Sequence, residues 1–295
     1  MSATVSVLAR PIPLRELVAL TKPRITALNL VAAAAGFALA RAQASAAVFG
    51  ATLLGTGLVI GAANALNCYL ERDLDKAMAR TRNRPLAAGR IAPQAALVFG
   101  LALAAIGVPL LSFAVNPLAG LLGAAALVGY VLIYTPLKQV TSAALLVGAV
   151  PGAAPPLIGW AAATGGIDLP GVLLFVLLFF WQVPHFLAIT LFRLDDYAKA
   201  GFKVFALERG ERATRRELFV YAASTVATSL MFVLFGSSGL LYLTAALILG
   251  GWVLVLALRG LRANAGPLWA RSFFMATNLY LTLLMGALVL DRYVG

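Results

Sequence analysis

A single cysteine, Cys68, and a single histidine, His185, occur in 295 residues. The lone cysteine excludes an intrachain disulfide and any Cys-x-x-Cys metal site, and reads as a small packing residue. Charge is scarce as well: Asp, Glu, Lys and Arg together make 12% of the chain, and only 11 residues are acidic. With 62% hydrophobic residues and a mean hydropathy of +0.93, a soluble globular protein is excluded. No nucleic-acid-binding motif is present. The first residues also lack the continuous apolar core and small-residue cleavage site of a secretory signal.

What fills the chain is apolar sequence, in runs near the ~20 residues that cross a bilayer. They lie at 25–40, 46–70, 93–113, 118–134, 142–164, 170–192, 218–235, 240–258 and 272–290. This predicts an all-α, polytopic membrane protein with nine transmembrane helices in a single domain over 1–295, after a weakly structured lead at 1–20. The first run is short, but Lys22 and Arg24 can snorkel and let its helix begin near Leu14. Of the 23 basic residues, all but Arg41 and Arg292 fall in the N-terminus or in loops leading from an even span to the next odd one. By the positive-inside rule those segments are cytoplasmic; the expected host is the cell's inner (plasma) membrane. The net charge of +12 is thus a topology signal, and it favours anionic lipid and anionic substrates.

The densest polar chemistry runs from Asn64 to Arg90. On a helix at about 100° per residue, with Asn67 as origin, Glu71 falls at about 40°, Asn64 at about 60° and Asp75 at about 80°. Two amides and two carboxylates therefore share one narrow stripe. Mg2+ takes one or two carboxylates and fills its remaining positions with water and substrate phosphate, and Arg80, Arg82 and Arg84 just beyond can face phosphate oxygens. The other reading is a solvated loop whose charges pair loosely. Asn64 and Asn67 favour the first, because amides inside an apolar segment are costly and usually face a functional cavity.

Further on, Tyr134-Thr-Pro-Leu-Lys138 ends the fourth span with the one basic residue of its loop, either a phosphate contact or an ordinary positive-inside lysine. Prolines and glycines from Gly148 to Gly159 kink the fifth span. The sixth carries Trp181-Gln-Val-Pro-His185 and then Arg193-Leu-Asp195-Asp196-Tyr-Ala-Lys199, a second polar centre. His185 is a hydrogen-bonded packing residue or a functional one. Asp195 and Lys199 form a surface pair four apart or complete the site.

Asn67-x-x-x-Glu71-x-x-x-Asp75 with Asn83-Arg-Pro, Tyr134-Thr-Pro-Leu-Lys138 and an acidic pair after the sixth span resembles the UbiA superfamily of intramembrane prenyltransferases. Within it, Glu71-Arg-Asp-Leu-Asp75, Arg80-Thr-Arg-Asn-Arg-Pro85, Ala154-Pro-Pro-Leu-Ile-Gly159, Trp181-Gln-Val-Pro-His185 and Phe192-Arg-Leu-Asp-Asp-Tyr197 resemble the protoheme IX farnesyltransferases, or haem O synthases. The resemblance implies a helical bundle around a cavity open to the bilayer, with catalytic loops at about 64–93 and 185–217. It implies Mg2+ held by Glu71 and Asp75 and bridging a prenyl diphosphate, with Asn67, Asp195 and Asp196 completing the catalytic set. Asn64, Arg80, Arg84 and Lys138 would bind substrate at the first centre, and His185, Arg193 and Lys199 at the second. The implied substrates are farnesyl diphosphate and haem B, with hand-over to a haem-modifying or oxidase-assembly partner. Two departures stand out: Glu71 replaces the usual Asp, and Lys199 sits near the place of the second motif's last acid. Prenylation of a quinone precursor and cation-coupled transport are the alternatives; broken helices meeting at mid-membrane would favour transport.

Overall fold

The computed structural model describes residues 13–40, 44–262 and 264–294; residues 1–12 of the expected lead, with Arg10, and also Arg41 lie outside them. A bilayer offers no partner for backbone N–H and C=O groups, so each apolar run closes its hydrogen bonds on itself as a helix. In chain order these are α1 (Leu14–Leu20), α2 (Pro23–Leu39), α3 (Ala46–Leu70), the short α4 (Arg72–Ala77), α5 (Pro93–Val115) and α6 (Pro117–Leu137). Then follow α7 (Ala144–Thr164), α8 (Leu169–Phe192), the short α9 (Leu194–Lys199), α10 (Phe205–Leu234), α11 (Leu240–Gly260) and α12 (Pro267–Val294). Proline stands in the first turn of α2, α5, α6 and α8, where its missing N–H costs nothing.

Among the described residues, eight helices are long and apolar enough to cross a membrane, and α1 with α2, bent by 54° at their junction, makes a ninth. The chain is a multi-pass membrane protein, and the nine expected spans stand with two differences. The first span is broken at Thr21-Lys22 and does not run straight from Leu14. The seventh starts at Phe205, so the polar stretch before residue 218 is helical too, with a break at Gly210 (φ 80°).

Two wide turns interrupt otherwise regular helices. Leu110–Val115 and Gly129–Tyr134 are π-helical, the first directly after Pro109 and the second just before Pro136. A proline ring inside a helix collides with the carbonyl four residues back, and for Pro136 that carbonyl, of Leu132, lies within the second widened turn, which relieves the clash. At the second site the Thr135 hydroxyl donates to the Tyr130 carbonyl at 2.8 Å, which fixes the last turn of α6.

In lipid, helices associate by close packing and polar contacts, since the tails are as apolar as leucine. α2 and α7 meet backbone to backbone: a Cβ on Gly36 would overlap the Pro156 carbonyl, and one on Gly159 the Ala33 carbonyl. The largest core gathers α8, α10, α11 and α12 around Leu174, Leu177, Tyr242, Phe273, Tyr280 and Leu284, all fully buried. Gly159→Ala is expected to lower stability by about 1–3 kcal/mol, the usual range for forcing atoms into a filled core. Gly50→Ala, within α3 where nothing lies within 4 Å of an added Cβ, is expected to raise it by up to about 1 kcal/mol. Thermal unfolding in detergent checks both, and equal midpoints for the two variants would refute the backbone contact.

Candidate functional site

The stripe from α3 into α4 is built as its spacing suggests. Glu71 closes α3 and opens α4 with a bent backbone (φ −96°, ψ 7°), yet its N–H reaches the Asn67 carbonyl at 2.9 Å and its own carbonyl takes the Asp75 N–H at 2.8 Å. The four-residue repeat therefore passes through the break. Asn64, Asn67, Glu71 and Asp75 are all buried, at 5% exposure or less.

Each polar group on that stripe meets a partner from another part of the chain. Arg84, in the loop after α4, donates from one nitrogen to both Asp75 carboxylate oxygens at 2.8 Å. Lys138, at the end of α6, forms an ion pair with Glu71, under the rings of Tyr134 and Phe202. Burial works against its charge, but Tyr134 and the Glu71 carboxylate offset that and hold the ammonium above the ordinary lysine range. Lys22 donates to Asn67 Oδ1 at 2.9 Å, and Asn67 Nδ2 donates to Thr135 Oγ1 at 3.3 Å.

Lys22 reaches the stripe at a conformational cost. It is the one non-glycine residue with positive φ (51°) among the described residues, a left-handed geometry that costs roughly 1–2 kcal/mol. Pro23 disfavours the helical alternative for the residue before it. Thr21 is held on the other side of the break, where its carbonyl accepts from Asn64 Nδ2 at 3.1 Å and from Thr26 Oγ1 at 2.7 Å. Asn64 is thus a latch on the break. Lys22, read from sequence as a snorkelling anchor, points inward.

The second centre sits over the first through apolar contacts. Met78, Ala200 and Phe202 pack together with Leu74, Tyr197 and Val204 beside them, and the Lys203 N–H donates to the Lys138 carbonyl at 3.1 Å. Burial pushes the Tyr197 phenol up, while the charge of Arg80, itself exposed, pulls it down. Asp195 and Lys199 are exposed and form no ion pair with each other; Asp196 lies 3.6 Å from Arg193 instead. No group of three or more His, Cys, Asp or Glu side chains gathers in metal-binding range among the described residues.

His185, on α8, turns toward the last helix. Its Nδ1 lies 2.9 Å from Thr277 Oγ1, with the rings of Trp181 and Phe274 at 4.6 and 4.5 Å. Lys22, Thr135 and Thr277 are contributors that the sequence did not single out. A lysine followed by proline inside an apolar run signals the first, and Thr135 lies within a quoted motif. Thr277 carries no signal.

The Asp75–Arg84 pair is unequally exposed, 4% against 24% of the side chain. Removing the arginine strands a buried carboxylate, whereas removing the carboxyl charge leaves an arginine that can still find water. Arg84→Gln is expected to cost about 3 kcal/mol and Asp75→Asn under about 1 kcal/mol. Melting curves in detergent that rank them the other way would contradict the pairing.

The sequence pattern of the UbiA prenyltransferase family matches residues 29–279. A protein of Sorangium cellulosum named protoheme IX farnesyltransferase is 52% identical over 253 residues, covering 86% of this chain and 90% of its own. One of Anaeromyxobacter dehalogenans with the same name is 49% identical, covering 95% and 94%. Among solved structures, a digeranylgeranylglyceryl phosphate synthase aligns with a TM-score of 0.81 at 15% identity, over 95% of this chain and 98% of its own. A UbiA homologue from Archaeoglobus fulgidus bound to GPP and Mg2+ aligns with a TM-score of 0.67 at 17% identity, over 92% and 99%. At such identities these two structures speak for the fold.

Proposed function

Because the chain belongs to the UbiA prenyltransferase family, we propose that it transfers the farnesyl group of farnesyl diphosphate to a vinyl group of haem B, giving haem O and diphosphate. The observation that carries this is the likeness, near half identity over almost the whole chain, to proteins named for that reaction. The geometry supplies matching chemistry. Breaking an allylic carbon–oxygen bond needs the departing diphosphate neutralised and the carbocation kept from water. Lys22, Arg84 and Lys138 gather at one place beside an apolar bundle, and the reaction requires no protein nucleophile. The vinyl group attacks the farnesyl carbon, and water closes the resulting cation as a hydroxyethylfarnesyl substituent.

The donor set fits Mg2+. Glu71 and Asp75 supply two carboxylates and Asn67 a carbonyl oxygen, hard ligands of the kind Mg2+ accepts alongside substrate phosphate. When bound, the metal withdraws charge from the leaving group. Asp195 and Asp196, which pair with neither Lys138 nor Arg84, are assigned to the same task from the second loop, with Arg80, Arg193 and Lys199 as cations around the diphosphate. His185 is assigned to haem B, flanked by Trp181 and Phe274, with the polar centre toward the cytoplasm in the inner membrane. The product is too apolar to leave into water, so hand-over to a haem-modifying or oxidase-assembly partner within the bilayer belongs to this reading. The transport alternative is not favoured, because the break at Lys22 meets the polar centre where α3 ends, whereas transporters join broken helices at mid-membrane.

Membranes expressing the protein and supplied with haem B and farnesyl diphosphate are expected to accumulate a more hydrophobic haem; a prenylated quinone in its place would refute the assignment. Asp75→Asn should leave a folded protein whose transfer rate falls on the order of tenfold or more, as loss of a metal ligand does. Activity within about threefold of the parent at saturating Mg2+ would remove Asp75 from the metal site.

A further inference from the structure

The polar cluster accounts for Lys22, Glu71, Asp75, Arg84 and Lys138 but leaves the imidazole of His185 and its neighbours on α12. One residue holds that imidazole and its neighbour together. His185 Nδ1 meets the hydroxyl of Thr277 at 2.9 Å, and the Trp181 indole N–H, one turn earlier on α8, donates to the Thr277 carbonyl at 2.7 Å. Trp181 stacks on the imidazole at an interplanar angle of 27° and Phe274 packs at 36°. The ring cannot turn over without unpacking both.

Thr277 Oγ1 also lies 2.8 Å from the Phe274 carbonyl, the usual back-bond of a threonine in a helix. A hydroxyl has one proton to give. Given to the Phe274 carbonyl, it leaves only lone pairs toward His185, so Nδ1 must carry the ring N–H and Nε2 is bare. The opposite assignment places the N–H on Nε2, for which the described residues offer no acceptor, and takes the Thr277 proton away from the Phe274 carbonyl. An imidazole that ligates a metal ordinarily gives its other N–H to a fixed acceptor. Thr277 is placed to be that acceptor.

We propose that Thr277 is a positioning residue for the haem substrate: its hydroxyl fixes His185 in the Nδ1–H tautomer and so presents the Nε2 lone pair to the iron of haem B. This rests on the reading that haem B is the acceptor. Neutral imidazole is a common axial ligand of haem iron, and Trp181 and Phe274, packed on the faces of the His185 ring, hold it in one orientation for that role.

The chain's one histidine makes the test clean, because isotopic labelling of histidine nitrogen gives the signals of a single imidazole. In the haem-free, detergent-purified protein the expected spectrum shows a pyrrole-type Nδ1 and a pyridine-type Nε2. Thr277→Ser keeps that pattern; Thr277→Val loses it and weakens haem B binding by about tenfold or more, with a changed iron-ligation spectrum. His185→Ala abolishes the histidine-ligated spectrum. An Nε2–H tautomer in the parent protein overturns the proposal whether or not Thr277→Val folds. A parent that binds haem B with a spectrum and affinity indifferent to His185→Ala overturns it while leaving farnesyl transfer to haem standing. A parent that binds no haem B overturns the haem reading itself, and this proposal with it.

Discussion

Two carboxylates buried where a membrane helix ends set the terms for everything around them. A carboxylate removed from water is tolerable only beside a cation or a full set of donors. Glu71 and Asp75 have side chains just 4% exposed, and each is answered from elsewhere in the chain. Arg84 comes from the loop after α4, folded back so that one guanidinium nitrogen reaches both oxygens of Asp75. Lys138 comes from the far end of α6. The same helical stripe also needs Asn67 satisfied on both faces of its amide, by Lys22 on the oxygen and Thr135 on the nitrogen. Three segments distant in sequence converge because one stripe cannot be left unpaired.

That demand explains where the backbone departs from regular geometry. The left-handed Lys22, the bend at Glu71 and the wide turn before Pro136 lie at one end of the bundle, and each sets the direction of a side chain in the cluster. Strained conformations of about 1–3 kcal/mol persist only where the surroundings over-determine them. Here the surroundings are the latch of Asn64 on Thr21, the back-bond of Thr135 and the ion pairs themselves. The rest of the bundle relies on close contact instead, as between α2 and α7, where glycine permits backbones to touch.

How much of this was legible in the sequence follows from which forces are local. The spans were, because the bilayer imposes length and apolarity on each segment separately. So was the stripe, because a period of 3.6 residues acts within one helix and survives the break at Glu71. Lys138 could be read either way until its partner was known; the structure gives it Glu71. Lys22 was misread because its neighbours Arg24 and Arg15 make it look like one more interfacial anchor, while the bend that turns it inward depends on Asn64, over forty residues away. The spacing of Asp195 and Lys199 allowed a helical pair that the structure does not form; both side chains are exposed, where an ion pair gains little over water. Thr277 was invisible, because threonine in a membrane helix usually satisfies itself on its own backbone and nothing local announces a histidine on another helix.

The charge balance of the cluster has a consequence for what it can hold. Three cations against two carboxylates leave about one excess positive charge in a place of low dielectric, where an imbalance is felt strongly. A fully ionised prenyl diphosphate alone would overshoot to net negative, whereas the same group with one divalent cation carries about one net negative charge and brings the site to neutrality. On the proposed reading the resting ion pairs are placeholders: carboxylates and cations that hold one another before substrate arrives would exchange those partners for metal and phosphate oxygens without any charge being left bare. An enzyme whose acids and bases were merely exposed would gain less, because solvated charges are already satisfied by water and bind in a higher dielectric. On the proposed reading, burial of Glu71 and Asp75 is what ties the fold to the chemistry, for a charge balance that matters this much in a low dielectric would favour the metal-bound substrate over the free one.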